Sequence, residues 1–580
     1  MFTNILKLSQ YSNLTILQTS ALSLLLLLSN LLDILGVVFF VPVIDNLNKT
    51  NSNITLWLND ILASIGLSDD IYNYLIMMVG VFIIKAVLLF VIRLYTVNTA
   101  SNIHYNIRKK LYESMIDSNI NFIHSHKQGI LLSGLNEHTV RSGHAFFIAI
   151  NILIAVSLVM MYGAFIFFIS FKLALMTILM SVVLYPLIKI LGRKAYQHGK
   201  LYVNSLEEVQ HFSLETFSSK KLLNAMQWKN YMLNSFDEKS KTLKENWKWN
   251  SFYSNSPTII IQPYSMIILA GIMWGALELD LSVGVLGAFA LAFMRLLPSL
   301  QQSANFMTDL KASEPSILKV ITLLDKAQES KESFGDVKIS KIEKSICLNN
   351  IIFSYDDSHK ILDNLSIDIE AKKTTALVGP SGGGKTTVVD IILGLQRINK
   401  GEVYLDSNSL GDIDLRILRK NISYVSQDAI FFNDSIYNNI IIGLDSNPSL
   451  EKIKQLCVDV GAWKFISEKE DGLDEIIGDR GVKLSGGQKQ KLNLVRAILR
   501  EPTLLILDEA TSALDNESEN DIKNVMLKLN HKMTIIVVAH RFETIKHADK
   551  IFLIKDKKAK DLGAWESAKM ILKNEKQILN

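Results

Sequence analysis

The stretch Thr374-Thr-Ala-Leu-Val-Gly-Pro-Ser-Gly-Gly-Gly-Lys-Thr-Thr-Val-Val-Asp-Ile-Ile392 decides the fold of the second half of this chain. A short apolar run reads as a buried strand, a glycine cluster as a turn, and Lys385 onward as a helix. The turn satisfies Gly-x4-Gly-Lys-Thr from Gly379 to Thr386. Glycines let successive backbone N–H groups curl around phosphate oxygens, and the helix N-terminus beyond adds a favourable dipole. Gly379, Pro380, Ser381, Gly382, Gly383 and Gly384 therefore form a candidate phosphate cradle, with Lys385 reaching the β and γ phosphates. Thr386 offers its hydroxyl to Mg²⁺, with Thr387 beside it. A Rossmann dinucleotide site is disfavoured, because that fingerprint lacks the Gly-Lys-Thr ending.

Downstream, Thr503-Leu-Leu-Ile-Leu-Asp-Glu is a buried-type strand ending in two carboxylates. In the same domain as a phosphate turn, Asp508 is placed to hold Mg²⁺ through water and Glu509 to act as general base on the attacking water. Three further segments complete the pattern: Leu484-Ser-Gly-Gly-Gln-Lys-Gln, Gln427 after Ile422-Ser-Tyr-Val-Ser, and His540 after Thr534-Ile-Ile-Val-Val-Ala. Together they resemble the nucleotide-binding domain of ATP-binding-cassette transporters, an α/β P-loop ATPase, over Ile346 to Ile554.

The resemblance implies ATP and Mg²⁺ as ligands and assigns roles by position. Tyr355 is implied to stack on adenine, Gln427 to contact metal and water at the junction with the membrane half, and His540 to contact the γ-phosphate. Ser485, Gly486, Gly487 and Gln488 are implied to close over ATP held by a second subunit, and Asp515 to lie in the loop crossing between the two sites. Dimerisation is then part of catalysis. Because Glu509, Ser485 and His540 are all present, an identical partner gives two competent sites, which favours a homodimer. One departure stands out. After Ile551-Phe-Leu-Ile the family turns through a glycine into a second short strand, whereas this chain has Lys-Asp-Lys-Lys-Ala-Lys-Asp-Leu-Gly, so an altered C-terminal hairpin is expected.

The first half has a different composition. Of 580 residues 49% are apolar and 20% charged, which excludes a disordered chain, and the apolar weight is concentrated before about residue 300. Six stretches are long enough to cross a bilayer: Ile16 to Ile44, Tyr72 to Tyr95, Gly143 to Ser170, Lys172 to Leu191, Pro257 to Gly275 and Val283 to Leu300. The first is too long for a signal peptide, is preceded by only one positive charge, Lys7, and lacks a small-residue cleavage site after Pro42. The expected domains are a six-helix transmembrane domain over 1–325, a polar linker over 326–344 and the ATPase domain over 345–580.

Basic residues set the orientation. Eleven Lys or Arg lie between Lys189 and Lys248, and Arg108, Lys109, Lys110, Lys127 and Arg141 lie between spans two and three, whereas the alternate loops carry almost none. Both termini and the ATPase domain are thus expected in the cytoplasm, with the spans in the inner (cytoplasmic) membrane. The basic loops read as helical continuations, with Ile103, Ile107, Leu111 and Met115 at helical spacing. A net charge of +4 gives no electrostatic footprint for nucleic acid. The two cysteines, Cys347 and Cys457, make neither a disulfide framework nor a zinc spacing, which suits a reducing compartment.

Six spans followed by the ATPase resemble exporter half-transporters, as do Phe171-Lys-Leu-Ala-Leu and Gly129-Ile-Leu-Leu-Ser. Ionisable residues inside spans are expensive and mark candidate function; here they are Asp33, Lys85 and Arg295. The spans holding them resemble bacterial flippases of lipid-linked oligosaccharides, in which basic residues at the positions of Lys85 and Arg295 suit a pyrophosphate head group. Leu56-Trp-Leu-Asn-Asp-Ile-Leu-Ala-Ser-Ile-Gly-Leu reads as a short amphipathic helix on the outer side, able to meet a lipid tail. Alternatives remain open at this stage: Lys85 pairing with Asp33, Arg295 snorkelling to the cytoplasmic interface, and the outer helix only capping the bundle. Export of peptide, drug or ordinary lipid also fits, as does an ATP-gated channel. A soluble cassette ATPase acting on nucleic acid does not, because it would lack the six spans.

Overall fold

The computed structural model describes residues 2–10, 16–48, 53–64, 66, 68–277, 283–355, 359–509, 516–539 and 545–574. It divides into two compact units, Met1–Glu332 and Ser333–Asn580.

The first unit is a bundle of long helices: α1 (Ile16–Val38), α2 (Ile71–Ile116), α3 (Thr139–Ile169), α4 (Leu184–Ser218), α5 (Lys229–Leu277) and α6 (Val283–Glu329). Four stretches among the described residues are long and apolar enough to cross a membrane: Ser20–Asn46, Ile71–Ile116, Gln128–Phe168 and Phe171–Ser218. The two remaining apolar stretches lie in α5 and α6. Ile76, Val79, Ile83, Ile84, Val87 and Phe90 of α2 are exposed on the bundle surface, as side chains facing lipid are.

Two spans read as continuous in the sequence are interrupted in the structure, each four residues before a proline, whereas Pro257, Pro263, Pro298 and Pro315 are accommodated inside α5 and α6. Proline clashes with the carbonyl four residues before it and supplies no N–H. Pro42 lies four residues after Val38, where α1 stops before Phe40–Asn48 begins. Pro186 lies four residues after Val182, where the helix Phe171–Val182 stops before α4 begins.

Beyond the apolar segments α2 continues as a helix, and Ile103, Ile107, Leu111 and Met115 are all buried against Leu310, Ile317, Val320 and Leu324 of α6. Close backbone crossings explain two glycines of this region. A Cβ on Gly129 would sit 2.8 Å from the His211 Cα, and one on Gly199 would sit 2.3 Å from the Ala312 carbonyl oxygen. The outer segment forms the helix Asn53–Ser64, with Leu58 and Leu62 buried beside Val38, Phe39 and Tyr74 and with Leu56 and Trp57 exposed.

The second unit holds two sheets built from β1 (Ser345–Ser354), β2 (Lys360–Glu370), β3 (Thr374–Val378), β4 (Lys400–Leu405), β5 (Asn408–Ser409), β6 (Ile422–Val425), β7 (Leu504–Asp508), β8 (Thr534–Val538), β9 (Lys550–Lys555) and β10 (Lys558–Gly563). The smaller sheet is antiparallel in the order β2-β1-β4-β5; the larger runs β10-β9-β3-β8-β7-β6 and is parallel except at the β10 edge. Every residue of β3, β7 and β8 is buried, as expected for central parallel strands covered on both faces.

The C-terminal hairpin corrects the expectation of an altered one. β9 and β10 pair in antiparallel register, Lys555 opposite Lys558, across a two-residue turn. Asp556 and Lys557 take φ of 51° and 66° to make it. Two consecutive left-handed residues are what a tight hairpin turn requires, and glycine meets that need at least cost.

Candidate functional site

Ligands of parallel α/β sheets bind beyond the carboxyl ends of the strands, and the chain's motifs converge at that edge. Leu377 of β3 lies beside Val538 of β8, and Val538 lies beside Asp508 of β7, so three strand ends are adjacent. From β3 the chain enters the glycine turn, from β7 it reaches Glu509, and from β6, next to β7, it reaches Gln427. His540 follows β8, but it and Asp515 lie outside the described residues.

The glycine turn connects β3 to α7 (Lys385–Ile392). Gly379, Gly382 and Gly384 have φ of 154°, 76° and 100°. At Gly379 space is also decisive, since a Cβ would sit 2.1 Å from the Ile554 carbonyl oxygen. Lys385 is buried, and its Nζ donates to the Gly379 and Pro380 carbonyls at 2.9 Å each, which holds the ammonium across the mouth of the turn. Burial keeps this ammonium below the usual lysine range, and the Glu509 and Asp508 carboxylates oppose that shift. An ammonium with three donors can exchange carbonyl partners for phosphate oxygens. Thr386 is exposed on the first turn of α7, and Thr387 is buried.

Tyr355 follows β1, half exposed, edge-on to Phe353 at 4.8 Å, with its hydroxyl 3.3 Å from Thr387 Oγ1. The aromatic ring thus flanks the phosphate helix. Asp508 is buried at the end of β7, and Tyr424 donates a hydrogen bond to its Oδ2 at 2.9 Å. Burial, together with the Asp508 charge, pushes the Tyr424 phenol above its ordinary range, so it serves as a donor. Glu509 has φ of 48°, and its N–H donates to the Val538 carbonyl at 3.0 Å, so the residue turns off the strand while tied to the neighbouring one. A non-glycine residue in this region is uncommon, and such residues are enriched at functional sites as well as in tight turns.

Ser485 N-caps α8 (Gly486–Leu499) in a capping box: its hydroxyl accepts from Gln488 N–H at 3.3 Å, and its own N–H donates to Gln488 Oε1 at 3.0 Å. Gly486 and Gly487 therefore occupy the first turn, where backbone N–H groups point out of the helix. Gln490, buried on the same helix, donates from Nε2 to the Gln427 carbonyl at 2.6 Å, joining two of the motifs.

In the membrane half the structure brings Asp33, Lys85 and Arg295 together from α1, α2 and α6. Lys85 forms an ion pair with Asp33, Tyr162 donates to Asp33 Oδ2 at 2.7 Å, and the Lys85 and Arg295 cations sit 5.9 and 5.5 Å from the Phe82 ring centre. Gly36 makes room for that ring, since a Cβ there would meet Phe82 Cζ at 2.7 Å. Sequence reasoning gave no role to Tyr162, Phe82, Tyr424 or Gln490, although Tyr424 and Gln490 lie inside the quoted segments. The signal for Tyr162 was a polar-tipped ring inside an otherwise apolar segment.

Residues of this cradle fit a magnesium-bound nucleoside triphosphate: a glycine turn that leaves no room for a side chain at Gly379, a buried ammonium, a helix N-terminus, and a carboxylate at the next strand end but one. The comparisons agree. Residues 20–300 match the ABC transporter transmembrane region and residues 362–512 the ABC transporter family. An ATP-dependent lipid A-core flippase of Pasteurella multocida is 31% identical over 79% of this chain and 80% of its own length. One from Desulfotalea psychrophila is 28% identical over 90% and 92%. The structure of a bacterial Atm1-family ABC exporter with ATP bound superposes with a TM-score of 0.82, covering 96% of this chain and 97% of its own, at 18% identity. The chain therefore belongs to the ATP-binding-cassette transporter family, as an ATP-hydrolysing transporter whose membrane domain and nucleotide-binding domain are fused in the exporter arrangement.

Proposed function

We propose that two copies of this chain use ATP to carry an anionic, lipid-tailed substrate, a glycolipid of the lipid A-core or lipid-linked oligosaccharide kind, outward across the inner membrane. The observation that supports this reading is the meeting of Lys85 and Arg295 around Phe82 inside the membrane half. Charges at that depth are costly unless they serve a pathway or partner. Two cations, one of them paired with Asp33, and an aromatic face suit a phosphorylated head group joined to an apolar tail, with the head group displacing that pairing. The names of the relatives point the same way.

On this reading the basic loops face the cytoplasm and so does the ATPase domain. Lys385 and the N–H groups of the glycine turn bind the phosphates. Glu509 orients and deprotonates the attacking water. Thr386, Asp508 and Gln427 are the residues that would hold Mg²⁺, which when bound neutralises charge on the phosphate oxygens. Tyr355 stacks on the base. Ser485, Gly486, Gly487 and Gln488 close the partner's site, with Asp515 crossing between the two and His540 contacting the γ-phosphate.

The test is substrate-stimulated ATP hydrolysis by the full-length protein in nanodiscs, with lipid A-core, a lipid-linked oligosaccharide and a zwitterionic phospholipid as competing candidates. Stimulation by either anionic glycolipid and not by the phospholipid supports the reading. Equal stimulation by all three, or stimulation only by apolar drugs or peptides, contradicts it.

A further inference from the structure

Tyr424 on β6 lies opposite Ile506 on β7, and Asp508 lies two residues further along β7. Residues two apart on a strand share a face, so Tyr424 and Asp508 are diagonal neighbours, about 7–8 Å apart at the backbone. A phenol is long enough to close that gap, and its hydroxyl donates to Asp508 Oδ2 at 2.9 Å. Core packing does not explain the residue. Tyr424 is 38% exposed, whereas Ile422, Ser423 and Val425 on the same strand are 5%, 3% and 0% exposed.

A carboxylate rotates about its last bond and offers about four acceptor sites. The Tyr424 hydroxyl uses one of them on Oδ2 and thereby restrains the rotation of the group. We infer that Tyr424 is a positioning residue for the metal: it holds the Asp508 carboxylate in the orientation in which it meets magnesium beside the phosphate turn. The inference rests on reading Asp508 as the metal-side carboxylate, which the test checks by itself.

The test uses full-length protein in nanodiscs with Glu509→Gln to stop turnover, and Mn²⁺ as probe. Electron paramagnetic resonance reads Mn²⁺ bound in the presence of ATP, and a fluorescent nucleotide reads affinity in EDTA. Tyr424→Phe, which removes one oxygen, is expected to weaken Mn²⁺ binding roughly three- to tenfold. Nucleotide affinity in EDTA and the melting temperature should stay as they were. With Glu509 restored, raised Mg²⁺ should return the variant's kcat to the parent value.

Unchanged or tighter Mn²⁺ binding in Tyr424→Phe overturns the inference, the second outcome by making the hydroxyl a competitor of the metal. An equal loss of nucleotide affinity in EDTA also overturns it, since the role would then be structural. Unchanged Mn²⁺ binding in Asp508→Asn overturns the underlying reading of Asp508 instead.

Discussion

The Lys85 ammonium and the Asp33 carboxylate form an ion pair inside the membrane half, with side chains only 16% and 6% exposed. In such a setting the pair is a compromise: desolvation costs several kcal/mol per ion and the attraction recovers it only with further hydrogen bonds. Tyr162 supplies one of them. On the proposed reading, an anionic head group at Lys85 would compete with the Asp33 carboxylate.

Removing one partner should cost more than removing both. Lys85→Met alone leaves a buried carboxylate and is expected to destabilise by about 3–5 kcal/mol. Lys85→Met with Asp33→Asn should recover most of that. Thermal melting of the three proteins in one detergent gives the coupling directly; additive losses would show that the pair is not formed.

With Asp33→Asn present to avoid a lone carboxylate, Lys85→Ala and Arg295→Ala together should abolish substrate-stimulated transport. Basal ATP hydrolysis should remain within about twofold, since none of the phosphate-cradle residues is replaced. Assays of transport and ATPase on one preparation decide it, and undiminished transport removes the cationic pair from the pathway.

Glu509→Gln keeps the shape of the residue and removes the base. Hydrolysis is expected to fall by about 10²–10⁴-fold with ATP still bound. Lys385→Ala should instead weaken nucleotide binding, because it deletes the one ammonium that bridges the turn. Equilibrium nucleotide binding beside steady-state phosphate release separates the two effects.

The β9–β10 turn offers a stability test that replaces none of the nucleotide-binding residues. Asp556→Asn with Lys557→Gly relieves two left-handed residues and is expected to stabilise by about 1 kcal/mol. A raised melting temperature with unchanged ATPase checks it.

What could be read from the sequence follows the range of the interactions. The glycine turn and the acidic strand end are local patterns, and one parallel sheet then gathers them at its carboxyl edge. Ile103, Ile107, Leu111 and Met115 were legible because helical spacing alone puts them on one face. The Tyr424–Asp508 and Tyr162–Asp33 hydrogen bonds were not, because they join positions 84 and 129 residues apart and depend on strand register and helix rotation. The helix breaks after Val38 and Val182 were not legible from Pro42 and Pro186 alone, because Pro257, Pro263, Pro298 and Pro315 lie inside continuous helices. The hairpin was expected to be altered because its turn lacks the usual glycine, whereas Asp556 and Lys557 adopt φ > 0 and form the turn.

The most direct measurement of the central claim is movement of a labelled anionic glycolipid between leaflets of proteoliposomes, recorded with ATP hydrolysis in the same vesicles. Movement is expected to need Mg²⁺ and ATP, to scale with phosphate released and to disappear in Glu509→Gln. Movement indifferent to ATP or to Glu509→Gln, or unitary ionic currents in place of slow coupled transfer, would contradict it.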